Sequence, residues 1–233
     1  MKFQSQALIF SSAAVQYRYT RKTQFIENGY YHIYNRGVDK RPIFLRFGHY
    51  LRFQNTIRSI LHTGSATPRL VYNQSLALKN KVIVLAYCLM PNHYHFLIKQ
   101  TAQGGISEFM QKLDTSYTKY INLNLHRTGH LFEYAFRAKM IETDPVFLHI
   151  NRYIHMNPVL AKLVDHPEEW RWSSYQEYIN PDNTKPICNS EEILGRFPSL
   201  IKYREFVEST DALQTLRYQT TLDKNQDEDA IYL

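Results

Sequence analysis

The sequence predicts an α+β domain, and three observations carry that expectation. A near-continuous apolar run from Lys81 to Met90 meets a turn at Pro91-Asn92 and returns as His93 to Lys99, the pattern of two buried strands joined as a hairpin. Two stretches on either side of it, Phe47 to Leu61 and Ile106 to Leu123, repeat apolar residues at helical intervals. At 233 residues and 44% hydrophobic content, the chain can bury a real core in one moderate domain with extensions.

Taken in order, Met1 to Val15 has an apolar run broken by Gln4, Ser5, Gln6, Ser11 and Ser12, so residues 1–27 are expected to be a flexible arm and not a signal peptide. Tyr30 to Asn35 is rich in β-formers and is stopped by Arg36-Gly37, a first strand and its turn. The helix from Phe47 follows, then a looser polar segment from His62 to Asn80, then the hairpin and the helix from Ile106. Leu131 to Ile141 alternates as a further strand, with Arg137 and Lys139 on one side. Asp144-Pro145 opens a second long helix, with Asp as the cap and Pro in the first turn; Pro158 is expected to disturb it, with continuation over Val159 to Leu163 left open. Trp170-Arg171-Trp172-Ser173-Ser174-Tyr175 is an aromatic patch; it could stack bases, but it reads better as a core seal. Ile193 to Val207 is expected to form a short helical extension, and the chain from Tyr218 on is polar and locally acidic. The expected division is thus an arm over 1–27, a main domain over 28–179 and a C-terminal extension over 180–233.

The formal charge of +7 favours a polyanionic partner, with nucleic acid the usual candidate. Arg36, Lys40 and Arg41 crowd the first turn, where they serve either as a solvated loop or as phosphate contacts. Cys88 and Cys188 lie far apart with no Cys-x-x-Cys spacing, which points to a reducing cytoplasm and away from a disulfide scaffold. No stretch approaches the roughly 18 apolar residues of a membrane span, so no membrane partner is expected.

One motif carries chemistry. In a strand, residues two apart face the same way, so His93 and His95 present two imidazoles side by side while Tyr94, Phe96 and Ile98 face the core. Two neutral ligands do not complete a metal site. On the later helix, Tyr153 and Asn157 are four apart and share a face. Packed over the histidines, that helix could offer an amide oxygen as a third ligand and a phenol beside the cation. A phenol with a pKa of about 10 is a poor nucleophile unless a cation helps to remove its proton. Spacing alone does not single out Tyr153 among 18 tyrosines: Tyr117 and Tyr120 compete for its role, and His149 competes as a ligand or proton carrier.

Tyr31-His32-Ile33-Tyr34-Asn35-Arg36-Gly37, Met90-Pro91-Asn92-His93-Tyr94-His95, Leu131-Phe132-Glu133, Arg152-Tyr153-Ile154-His155-Met156-Asn157-Pro158-Val159 and Trp170 to Tyr175 together resemble the IS200-like tyrosine transposases, most nearly their REP-associated branch. The matches run in order over roughly residues 28–179. The resemblance implies a ferredoxin-like antiparallel sheet with helices packed on it, of the His-hydrophobic-His endonuclease type. It also implies a divalent metal, Mg²⁺ or Mn²⁺, held by His93, His95 and Asn157. Tyr153 would attack single-stranded or hairpin DNA of palindromic repeats and leave a 5′-phosphotyrosine. The presumed DNA contacts are Arg36, Lys40, Arg41, Arg137, Lys139 and Arg152, and the family includes homodimers. Two positions depart from the pattern: Tyr94 stands between the histidines, and Tyr134-Ala135 follows Leu131-Phe132-Glu133 where Gly-Arg is usual, with Arg137 as the substitute contact. The alternative is a domesticated hairpin-binding protein without cleavage. A histidine-based phosphohydrolase is disfavoured by Leu97, which stands where a third alternate histidine would fall.

Overall fold

Aromatic and β-branched residues hold Tyr30–Arg36 extended as β1. Gly37 ends the strand where the chain returns so closely that a Cβ there would collide with the Arg41 carbonyl oxygen. Its φ of −66° is ordinary, so glycine is required for space and not for backbone freedom. In the computed structural model, which describes residues 23–63, 78–180 and 186–209, the elements that follow are α1 (Phe47–Thr63), β2 (Val82–Met90), β3 (His93–Gln100), α2 (Gly105–Asn124), β4 (Arg137–Ile141) and α3 (Asp144–Leu160). Three shorter helices complete the described chain: α4 (Tyr175–Ile179), α5 (Glu191–Leu194) and α6 (Leu200–Glu208). The arm residues 1–22, most of the polar segment after α1 and the tail from 210 lie outside the described residues.

The four strands form one antiparallel sheet in the order β2-β3-β1-β4. With a helix between β1 and β2 and another between β3 and β4, this is the split βαβ topology of the ferredoxin-like fold. The sheet divides the molecule. Helices α1 and α2 pack on one face, where Phe53 meets Tyr94 and Tyr117 at ring separations of 5.4 and 4.8 Å, and Phe109 meets Phe96 at 6.2 Å. Each of these fully buried rings contributes about 2 kcal/mol through the apolar surface it removes from water. Helix α3 packs on the opposite face, over β2 and β3.

Several local expectations are corrected. The strand expected over 131–141 is regular only from Arg137, because Leu131, Phe132 and Phe136 turn into the core and the Tyr134 and Ala135 carbonyls are taken by the Asn35 side chain at 2.9 and 3.2 Å instead of by a ladder. Thr143, not Asp144, occupies the cap position of α3, with Asp144 in the first turn. Pro158 does not break that helix: α3 runs on to Leu160 and closes with bonds from Lys162 N to Val159 O and from Leu163 N to Pro158 O, both 2.9 Å, the pairing of a Schellman motif. Lys162 takes the left-handed conformation (φ 56°) usually given to glycine there. The helix expected over 193–207 is two, α5 and α6, parted by Gly195 and Pro198, with Ser199 capping α6 by accepting from Lys202 N at 3.3 Å.

The aromatic patch does act as a seal. Leu89 N donates to Trp172 O (3.0 Å), Ser174 N to Tyr87 O (2.9 Å) and the Trp170 indole to Leu89 O (3.0 Å), so residues 170–174 satisfy the outer edge of β2. Trp172 also stacks on Tyr50 at 4.6 Å.

Candidate active site

Cross-strand partners share a face, so the register alone assembles the site's floor. On β3 and β1, His93 is paired with Arg36, His95 with Tyr34 and Leu97 with His32. On β1 and β4, Tyr34 is paired with Arg137 and His32 with Lys139. The α3 face therefore carries three imidazoles, with Arg36, Arg137 and Lys139 ranged beside them toward β1 and β4. Tyr94, Phe96 and Ile98 are fully buried on the other face, as alternation predicts.

Helix α3 brings its two expected residues to this floor within a single chain. The Tyr153 ring lies edge-on to His95 at 5.4 Å and to His32 at 6.0 Å. One turn later, the Asn157 side chain comes near enough to the His93 ring to favour its protonated form, and His93 Nδ1 lies 2.6 Å from Asn92 Oδ1. The His93 and His95 rings are 4.9 Å apart. His95 Nδ1 faces His32 Nε2 at 3.0 Å, while His95 Nε2 is buried without a hydrogen-bond partner.

The electrostatics suit metal ligation. Burial pushes His93 down to about 4, with the Asn157 side chain opposing and Arg36 adding to the shift. Burial and then the Lys139 charge take His32 to about 3. His95 is driven well below the usual imidazole range by burial and by its two neighbouring histidines. All three are neutral near pH 7, the form that offers a lone pair to a cation. Among the described residues, no group of three or more His, Cys, Asp or Glu side chains is arranged to hold a metal. A cation here would depend on His93, His95 and the Asn157 amide oxygen, and the bare Nε2 of His95 is the observation that fits such a donor set.

The back of α3 is fixed by a buried polar network, which holds the Tyr153 side in place. His155 Nδ1 lies 2.7 Å from Tyr203 Oη of α6, and its Nε2 lies 2.8 Å from Ser174 Oγ. Tyr203 in turn donates to Asn151 Oδ1 at 2.9 Å. Arg152 belongs to this side. It is 3% exposed, and its guanidinium donates to the Val207 carbonyl at 3.1 Å and to the Ser209 carbonyl. Its expected role as a DNA contact is therefore corrected: the side chain secures the end of α6 to α3.

The other expected residues separate clearly. Arg36 pairs with Glu133 at the rim, holding that carboxyl below its ordinary range, and Arg41 lies 3.2 Å from Asp39. Lys40 is exposed in the same turn. Arg137 sits over the Tyr134 ring at 4.2 Å. Tyr117, which donates to Ile43 O at 2.8 Å, and Tyr120, beside His49, belong to the α1/α2 side. His149 packs toward Phe206 of α6. His32 was the residue the chemistry-bearing spacing did not single out. Its signal was present in period two, since His32 and Tyr34 share a face of β1, but strand pairing is needed to set that face beside His95.

The sheet order and the helix laid over its histidine-bearing face define the class: a ferredoxin-like α+β protein with a neutral histidine cluster under a helical tyrosine. Residues 58–157 match the family model described as transposase, IS200-like. The matched segment runs from α1 to Asn157 and contains His93, His95 and Tyr153. Among solved structures, the chain is similar to a REP-associated tyrosine transposase bound to a REP hairpin, with 15% identity, 72% of this chain and 88% of that chain covered, and a TM-score of 0.55; the likeness establishes the fold. A crystal structure of a candidate transposase from Deinococcus radiodurans shows 15% identity over 58% of this chain and 95% of its own, with a TM-score of 0.34, too low to bear on the fold. No curated protein matches the chain.

Proposed function

We propose that the protein is a single-strand DNA endonuclease and strand transferase that acts on hairpins of palindromic repeats through a 5′-phosphotyrosine on Tyr153. The observation that supports this most is the approach of Tyr153 to within 5.4 Å of the His95 ring, with Asn157 one turn on beside His93. His93, His95 and Asn157 would hold a divalent metal, Mg²⁺ or Mn²⁺, which when bound supplies Lewis-acid polarisation of the phosphodiester. Tyr153 Oη forms the new bond to phosphorus and the bond from phosphorus to the 3′-oxygen breaks. The phenol proton leaves to solvent, and the departing oxygen takes one up as a 3′-hydroxyl. Because the phosphotyrosine is itself a phosphodiester, attack by a 3′-hydroxyl reverses the step and joins strands. Arg36, Lys40, Arg41, Arg137 and Lys139 are assigned to the DNA phosphates, with Arg137 and Lys139 on the same sheet face as the histidines. The REP hairpin bound by the similar structure makes a folded single strand the first substrate to try.

The test is incubation with a single-stranded hairpin labelled at its 3′ end, with Mg²⁺ or Mn²⁺ or with chelator, followed by denaturing electrophoresis. The expected result is a metal-dependent covalent adduct that retains the 3′ label. Salt-sensitive hairpin binding with no adduct under either metal would overturn the proposal and identify a hairpin-binding protein without cleavage.

A further inference from the structure

His32 has no part in the ligand set above, yet it is buried at the centre of the cluster. It is 3% exposed, its ring stacks on that of His95 at 5.1 Å with 17° between the planes, and its Nε2 faces His95 Nδ1 at 3.0 Å. His32 Nδ1 and His95 Nε2 are both buried and without hydrogen-bond partners.

Two neutral imidazoles facing nitrogen to nitrogen share one proton, and its position decides what the far nitrogens can do. If His32 Nε2 carries it, His95 must hold its own proton on Nε2 and cannot ligate there. If His95 Nδ1 carries it, His95 Nε2 is a bare lone pair and the His32 proton resides on Nδ1. Only the second arrangement gives His95 a ligating atom on the free side of its ring. We propose that His32 is a positioning residue: its Nε2 accepts a hydrogen bond from the His95 Nδ1–H, fixes that tautomer and holds the ring with Nε2 directed away from His32 as a metal ligand. Ligating histidines in general rely on a hydrogen-bond partner at the other ring nitrogen, and loss of that partner weakens metal binding by roughly 10- to 100-fold. Here the partner is a second histidine supplied by the neighbouring strand. This inference rests on the metal reading of His93, His95 and Asn157 given above.

The experiment measures Mn²⁺ affinity by titration calorimetry without DNA, and the His95 tautomer by ¹⁵N-detected NMR of the metal-free protein. Wild type, His32→Phe, His32→Gln and His93→Ala are compared, each checked by thermal unfolding. The expected result is a protonated Nδ1 on His95 in wild type, Mn²⁺ affinity reduced roughly 10- to 100-fold in His32→Phe, and affinity within a few-fold of wild type in His32→Gln, whose amide oxygen can still accept. Wild-type affinity in a folded His32→Phe would overturn the role of His32 alone. Failure of wild type to bind Mn²⁺, or binding unaffected by His93→Ala, would overturn the metal reading itself. A wild-type His95 protonated on Nε2 would overturn the His32 assignment whatever the variants do, so a variant that fails to fold leaves the inference testable.

Discussion

Asp114 links the pH dependence of stability to the face of the sheet opposite the site. Its carboxylate is buried on α2, where Tyr94 Oη donates at 2.8 and 2.9 Å to its two oxygens and Asn35 Nδ2 donates at 3.2 Å. Burial raises its pKa from 3.8 to about 7, against the opposing effect of those two bonds. Between these values the folded protein keeps a proton that the unfolded chain releases. The stabilisation from this group is therefore complete below about pH 4 and is lost as pH rises through about 7. A difference of this size corresponds to something on the order of 4 kcal/mol as an upper figure, at about 1.4 kcal/mol per unit. Asp114→Asn removes the titration while keeping an acceptor for Tyr94. Urea unfolding of both proteins between about pH 5 and about pH 8.5 should show wild type losing up to about 2–3 kcal/mol of stability relative to the variant, nearly all of it below about pH 7.5. Parallel profiles over the whole range would refute the reasoning and place the Asp114 proton elsewhere.

Three further outcomes follow from particular contacts. Arg152→Ala should destabilise the fold by about 2–4 kcal/mol in urea unfolding, because it leaves the Val207 and Ser209 carbonyls without their donor, and it should leave the salt dependence of hairpin binding unchanged. If Arg137 and Lys139 contact phosphates, replacing either with Ala should lower the slope of log affinity against log salt by about 0.7, measured by fluorescence anisotropy on a single-stranded hairpin; an unaltered slope removes that residue from the interface. Gly37→Ala should cost about 1–3 kcal/mol of stability by forcing its methyl group against the Arg41 carbonyl, and a neutral effect would show that this turn can relax.

The hairpin, the two sheet-covering helices and the α3 helix were legible because their signals are local: period two and apolar continuity in β2 and β3, period 3.6 in α1, α2 and α3. The alternation that sent Tyr94 to the core also placed His93 and His95 together, and a four-residue spacing did the same for Tyr153 and Asn157. Leu131 to Phe136 misled because alternation survives there while only Phe132 bridges the chain at Gly37 and the Tyr134 and Ala135 carbonyls go to the Asn35 side chain, a tertiary partner with no local trace. Arg152 misled for a similar reason. A positive side chain in a basic chain reads as a phosphate contact until α6, some 50 residues later, is seen to occupy it. The nearness of His32 to His95 is a property of strand register, and a single sequence does not specify which strands pair.

The central claim is that Tyr153 is the nucleophile in a site assembled from His93, His95 and Asn157. It is tested most directly by mapping the covalent product formed with a 3′-labelled hairpin and Mn²⁺. Proteolysis and mass spectrometry should locate the phosphodiester on the peptide containing Tyr153, and Tyr153→Phe, which leaves the ring packing against His95 in place, should form no adduct. An adduct that forms equally well with Tyr153→Phe, or that maps to another tyrosine, would contradict the account.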